Sequence, residues 1–224
     1  MKALILDSGP LINFAMNGLL DLLEELKKKF NGKFLITKKV YYEVVERPSE
    51  IQRFELGALQ IKALVEKKVL EFPSSIEIDE SILERETQEL TDIANHYLQA
   101  AGSWIKIVSD AEMSCLALSD ELTKIGIENM IAIDERTTRL LSERPQNLER
   151  IMSEKLHQRV LLVAKDFQMF SKYKFVRSSE LVFVAHKKGL AHLQGSKALE
   201  ALLFATKYKG SSISFEEIEV LKKL

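Results

Sequence analysis

The chain has 224 residues, 46% of them hydrophobic, with a formal net charge of -1, enough apolar mass to bury one sizeable core in a single domain. No run of 18 apolar residues occurs, and Asp7 interrupts the first apolar stretch too early for a secretion signal, so a cytoplasmic chain is expected, without a membrane span. Cys115 stands alone, and His96, His157, His186 and His192 lack the spacings of a zinc site, so any bound metal must be held by oxygen.

Residues 3–6, Ala-Leu-Ile-Leu, read as a strand buried on both faces and closed by Asp7-Ser8-Gly9-Pro10. Helices are predicted over 11–16 and 19–30, the second ending in Lys27-Lys28-Lys29, where positive charge suits the helix dipole. A strand at 34–37 precedes a short helix over 40–45 that Arg47-Pro48 is expected to end. Further helices are predicted at 50–68, as one piece or a broken pair, and at 82–101, with weak strand signals at 69–70 and 76–78. Trp104 is expected in the core.

The clearest helix is 109–125, with Ala111, Cys115, Leu118 and Leu122 on one face and Gly126 as its stop. Residues 130–133 form another buried strand, ended by Asp134, and a helix follows over 135–142. A polar, charged stretch runs from Pro145 to about Arg159, then short strands at 160–164 and 175–176, and helices at 180–187, 196–206 and 215–224. Strands alternating with helices predict an α/β fold: a three-layer α/β/α arrangement around a mostly parallel sheet, with ligands beyond the carboxyl ends of the strands.

Acidic residues stand at element ends: Asp7 after the first strand, Glu43 on the short helix, Asp110 and Glu112 opening the clearest helix, and Asp134 after a later strand. Glu46, one turn beyond Glu43, is its rival. Ser109-x-x-Glu112 is also a capping box. Carboxylates converging on one crevice repel, and such a cluster needs a cation at neutral pH; oxygen ligands alone select Mg²⁺ or Mn²⁺.

The segments Leu6-Asp7-Ser8-Gly9-Pro10-Leu11-Ile12-Asn13, Glu43-Val44-Val45, Ser109-Asp110-Ala111-Glu112 and Ile133-Asp134-Glu135-Arg136 resemble the ordered acidic motifs of PIN domains. The likeness spans residues 3–144, and Val176-Arg177-Ser178-Ser179 is similar to the family's last strand and the hydroxyl-bearing turn after it. The resemblance implies a PIN-like fold and a metal-dependent nuclease. It makes Asp7, Glu43 and Asp134 metal-site carboxylates, with Asp110 or Glu112 at the third station. Ser8 then supports the first aspartate, Asn13 matches a polar position one turn on, and Ser178 or Ser179 lies near the bound phosphate.

Residues 145–174 exceed what the compact family core needs and read as an insertion, with 178–224 as a carboxyl-terminal helical part. The insertion carries Lys155, Arg159, Lys165, Lys172 and Lys174 among Phe167, Phe170 and Tyr173, a mixture suited to gripping phosphates and stacking bases. Residues 1–149 hold 18 Lys and Arg against 26 Asp and Glu, whereas 150–224 hold 14 against 7, so an acidic part is joined to a basic one.

The expectation is therefore an endoribonuclease that hydrolyses RNA at an acidic Mg²⁺ or Mn²⁺ site. The alternative is a catalytically silent PIN-like module that binds RNA or protein in an RNA-processing or ribosome-maturation assembly. A homodimer, and a small acidic antitoxin as partner, stay open. A phosphatase of the haloacid-dehalogenase type would need an aspartate where Gly9 stands, and is set aside.

Overall fold

The first strand, β1 (Lys2–Leu6), is buried along Ala3–Leu6 because it lies between two others. It pairs in parallel with β2 (Gly32–Leu35) on one side and β5 (Glu128–Ala132) on the other, in the computed structural model, which describes residues 1–164 and 166–224. A short β7 (Phe175–Val176) adds in parallel to β5, so the sheet order is β2-β1-β5-β7 and all four strands point one way. Parallel neighbours need crossover helices, which here flank the sheet to give the expected α/β/α arrangement.

Helices α1 (Ser8–Met16) and α2 (Leu20–Lys29) join β1 to β2. After β2 the chain runs through α3 (Lys38–Tyr41), a π-helical turn over Tyr42–Glu46, α4 (Arg47–Ser49), α5 (Gln52–Glu66) and α6 (Glu80–Asn95). Pro48 therefore does not end the short helix. The π turn absorbs the missing proline amide, and the Ser49 hydroxyl satisfies the Val45 carbonyl at 2.6 Å. Neither weak strand, at 69–70 or at 76–78, forms: residues 73–76 make a 3-10 turn, and Leu35 and Glu71 make an isolated parallel bridge.

Residues 98–101 leave the helix they were expected to extend. The Asn95 side chain accepts hydrogen bonds from the Ile107 and Val108 amides, and α6 stops at Asn95. There, β3 (Leu98–Ala100) turns through Ala101 and Gly102, both at positive φ, into β4 (Ser103–Trp104). With β6 (Val160–Leu162) they form a second, antiparallel sheet of order β4-β3-β6. Trp104 is 46% exposed on this sheet, edge-on to His96, rather than in the core.

Helix α7 (Asp110–Lys124) packs on β1 and β5, with Cys115 and Leu116–Leu118 fully buried and α6 against its outer side. After β5 come α8 (Arg136–Glu143) and α9 (Leu148–Leu156). The second lies inside the stretch expected to be merely polar, because Leu148 and Met152, one turn apart, are buried. Helices α10 (Ser178–Lys187), α11 (Ser196–Tyr208) and α12 (Phe215–Lys223) follow β7. Leu199, Leu203, Ile213 and Ile218 give the last two helices a small core of their own, against which Phe183 of α10 packs. No helix among the described residues is long and apolar enough to cross a membrane.

The aromatic residues of 145–174 are not a stacking platform. Phe170 and Tyr173 are buried, and Phe167 and Phe170 meet Tyr97 edge-on at 5.0 and 5.7 Å. Burying Phe170 and Tyr173 fastens the segment to the domain and withdraws those two rings from base stacking, while Phe167 is half-buried. Lys172 and Lys155 pair with Asp120 and Glu135, while Lys165 lies outside the described residues.

Candidate active site at the ends of β1 and β5

Leu6 and Ala132 are partners in register, so the chain leaves two adjacent central strands at the same level. Asp7 is the next residue after β1, its amide bonded to the Ala132 carbonyl at 3.0 Å, and Asp134 follows β5 two residues on. Gly9 sits between them: a Cβ there would lie 3.4 Å from Cβ of Asp134 and 3.5 Å from Oδ2 of Asp7. Two aspartates thus share one crevice beyond the carboxyl ends of the strands, the position where α/β sheets bind ligands.

Asp7 caps α1, accepting from the Gly9 amide at 3.3 Å, and the Ser8 hydroxyl is 3.5 Å from Oδ1. These contacts stabilise the ionised carboxylate, but burial opposes them. Asp7 is 2% exposed, and burial first, then Glu112 and Glu43, pushes its carboxyl up to about 8. Glu112 is pushed up by burial to about 7, Glu135 and Glu43 adding to the effect. Two donors oppose it: the Ser109 amide at 3.0 Å and the Thr138 hydroxyl at 2.8 Å, both to Oε2.

The two candidates for the third acidic position sit differently. Glu112 closes the capping box with Ser109 and at the same time acts on Asp7, whereas Asp110, one residue into α7, is exposed. Glu43, half-buried in the π turn, raises both Asp7 and Glu112; it also lines a mostly apolar groove between α1 and α5. π turns inside helices recur at functional sites because they re-aim a side chain.

Asp134 is anchored differently. Its Oδ1 accepts the Ser178 amide at 2.9 Å and its Oδ2 the Asn13 side-chain amide at 3.3 Å. Burial raises its pKa, and the surrounding donors from Ser178, Ser211 and Asn13 oppose the rise. Asn13 is fully buried and donates also to the Thr206 carbonyl at 2.8 Å, so it ties Asp134 to α11 instead of reaching a substrate. Ser178 and Ser179 are fully buried too: the first offers its amide to Asp134, and the second accepts from Ser211 at 3.0 Å. These buried contacts brace Asp134 from behind.

The family comparison joins this geometry here. Residues 3–82 match a family model described as a PIN domain. The coarse reading of the site is therefore a nuclease-type module, in agreement with the resemblance carried by the ordered acids. The PIN match contains Asp7 and Glu43; Glu112 and Asp134 lie beyond it, and only the shared crevice joins them to it. No curated protein and no solved structure matches the chain.

Among the described residues, no three carboxylate, imidazole or thiol groups lie close enough to hold an ion as they stand. The donor chemistry nevertheless fits a hard divalent cation. Asp7, Glu112 and Glu43 offer oxygen alone; Glu112 and Glu43 disfavour the ionisation of Asp7, Glu43 that of Glu112, and none of the three forms an ion pair among the described residues. Mg²⁺ keeps several waters and is commonly held by one or two carboxylates, so such a site needs no closed cage of three.

Residues that the sequence did not single out complete the site. Thr138 lies one turn after Asp134, which was its one visible signal; Thr206 and Ser211 carried none, since α11 and its following loop reach the site only through tertiary packing.

Proposed function

We propose that the chain is a Mg²⁺- or Mn²⁺-dependent endoribonuclease. The observation that carries this reading is Asp7: a carboxyl buried at the end of a central strand, raised by two further acids, with no cation paired to it among the described residues. Asp7, Glu112 and Glu43 would hold the ion, which when bound supplies an acidified water and offsets charge developing on the phosphate. Asp7 and Glu112 serve as ligands only when ionised, and the Thr138 hydroxyl favours that state of Glu112. Asp134, fixed by Ser178 and Asn13, orients polar groups in the same crevice. RNA as the substrate follows from the PIN resemblance and from the basic character of residues 150–224.

The test is cleavage of an end-labelled single-stranded RNA with Mn²⁺. The wild-type chain should cut it, and folded Asp7→Asn and Asp134→Asn variants should not; undiminished cleavage by the purified double variant would sink the reading. A silent binding module is the second reading, favoured by the absence, among the described residues, of three ligands already converged on one point. Calorimetric titration with Mn²⁺ separates the two, since a silent module would give no binding heat.

A further inference from the structure

A second crevice, about 540 Å³, opens between α8 and the loop joining α11 to α12. Its wall carries five Arg and Lys side chains against three Glu. Arg139 is held by Glu143 at 2.9 Å, and Arg177 by Glu180 and Glu217 at 2.7 and 2.8 Å. The other three form no ion pair among the described residues. Arg136 and Arg144 are exposed and make no ion pair or side-chain hydrogen bond among the described residues. Lys207 donates to the Ile213 carbonyl and lies 4.2 Å from the Phe215 ring centroid, without a carboxylate partner among the described residues.

Arg177 also lines the crevice. It is 6% exposed, yet its Nε has no hydrogen-bond partner among the described residues, although a buried guanidinium donor is costly to leave unpaired. The crevice also abuts the acidic site. Ser211 belongs to its wall and lies beside Asp134; Arg177 precedes the Ser178 amide that binds Asp134; and Arg136 follows Asp134 by two residues.

We propose that this crevice holds a backbone phosphate of the RNA strand next to the one being cut. The inference rests on the ribonuclease reading and adds a subsite to it. Arginine is suited to the task, because its planar fork pairs two donors with two phosphate oxygens and it stays charged at every working pH. A candidate cation site and a candidate phosphate site then both adjoin Asp134.

The test uses the full chain in EDTA, so that binding is read without cleavage. Fluorescence anisotropy of a single-stranded RNA should show affinity falling tenfold or more in Arg136→Gln/Arg144→Gln. The slope of log affinity against log salt should flatten by roughly 0.7, the change for one lost phosphate contact on a single strand. Lys29→Gln, at an exposed lysine of α2, should leave both quantities unchanged. With Mn²⁺, the double variant should raise KM and leave kcat near wild type. In a parallel arm, calorimetry with inorganic phosphate identifies a pocket for the free ion: loss of that binding with RNA affinity intact overturns the proposal, as does no change in either arm. If the wild-type chain fails to cleave, the ribonuclease reading falls, while the metal-free RNA arm still decides whether the crevice binds the strand.

Discussion

The Thr138 hydroxyl, on α8, donates a 2.8 Å hydrogen bond to Oε2 of Glu112, on α7, and so couples the helix after Asp134 to the acid that presses on Asp7. Replacing Thr138 by valine keeps the shape and removes the donor. The Glu112 carboxyl, already raised to about 7, should rise further, because a hydrogen bond to the charged form is lost. The acid limb of the pH–rate profile should move to higher pH, with stability lowered by about 1–2 kcal/mol in urea denaturation. Thr138→Ser should restore the limb.

Stability in the absence of metal should fall as pH rises. A carboxyl raised in the folded state binds its proton more tightly there than in the unfolded chain, so its contribution is complete below the unfolded pKa near 4 and is lost as pH climbs through the folded pKa. For Asp7 that window runs from about 4 to about 8. The loss should be roughly 3 kcal/mol or more, since each step of one in pH across the window costs about 1.4 kcal/mol. Thermal unfolding in EDTA at pH 5 and pH 8 measures it, and Asp7→Asn should flatten the dependence and unfold later than wild type at pH 8.

Divalent cations should reverse that trend. Mg²⁺ or Mn²⁺ competes with protons for Asp7 and Glu112, so its effect on the unfolding temperature should be small at pH 5 and large at pH 8. Equal shifts at both pH values would show that the ion binds elsewhere. Asp7→Asn should abolish the difference, and EDTA should restore the metal-free curve.

Asn13→Ala should be costly although it touches no solvent. It removes donors from both Asp134 and the Thr206 carbonyl and opens a gap in a fully buried position. A loss of about 2–4 kcal/mol is expected. Cleavage should fall as well, because Asp134 then keeps the Ser178 amide on Oδ1 but loses the donor that holds Oδ2. Circular dichroism melts and single-turnover cleavage separate the two effects.

The parallel sheet and both strand-end aspartates were legible because their signals are local. An apolar run of four or five residues closed by a carboxylate and a helix start names a buried strand and what stands at its end, as at Leu4–Asp7 and Ile131–Asp134. The capping box at Ser109 and Glu112 was legible for the same reason, four consecutive residues sufficing to define it. The antiparallel sheet was not. Leu98 pairs with Leu162, 64 positions on, and only Gly102 in the intervening turn marks it locally.

The sequence by itself determined which residue types could do chemistry here: oxygen donors alone, in a fixed order, at the ends of apolar strands. Tertiary structure decided which of them meet. It left Asp110 exposed and set Glu112 against Thr138, buried Asn13, Ser178 and Ser179 behind Asp134, and set arginines of α8 beside the loop after α11. The reason is physical: periodicity specifies which face of an element is buried, while the partner of a buried polar group depends on packing between segments far apart in the chain.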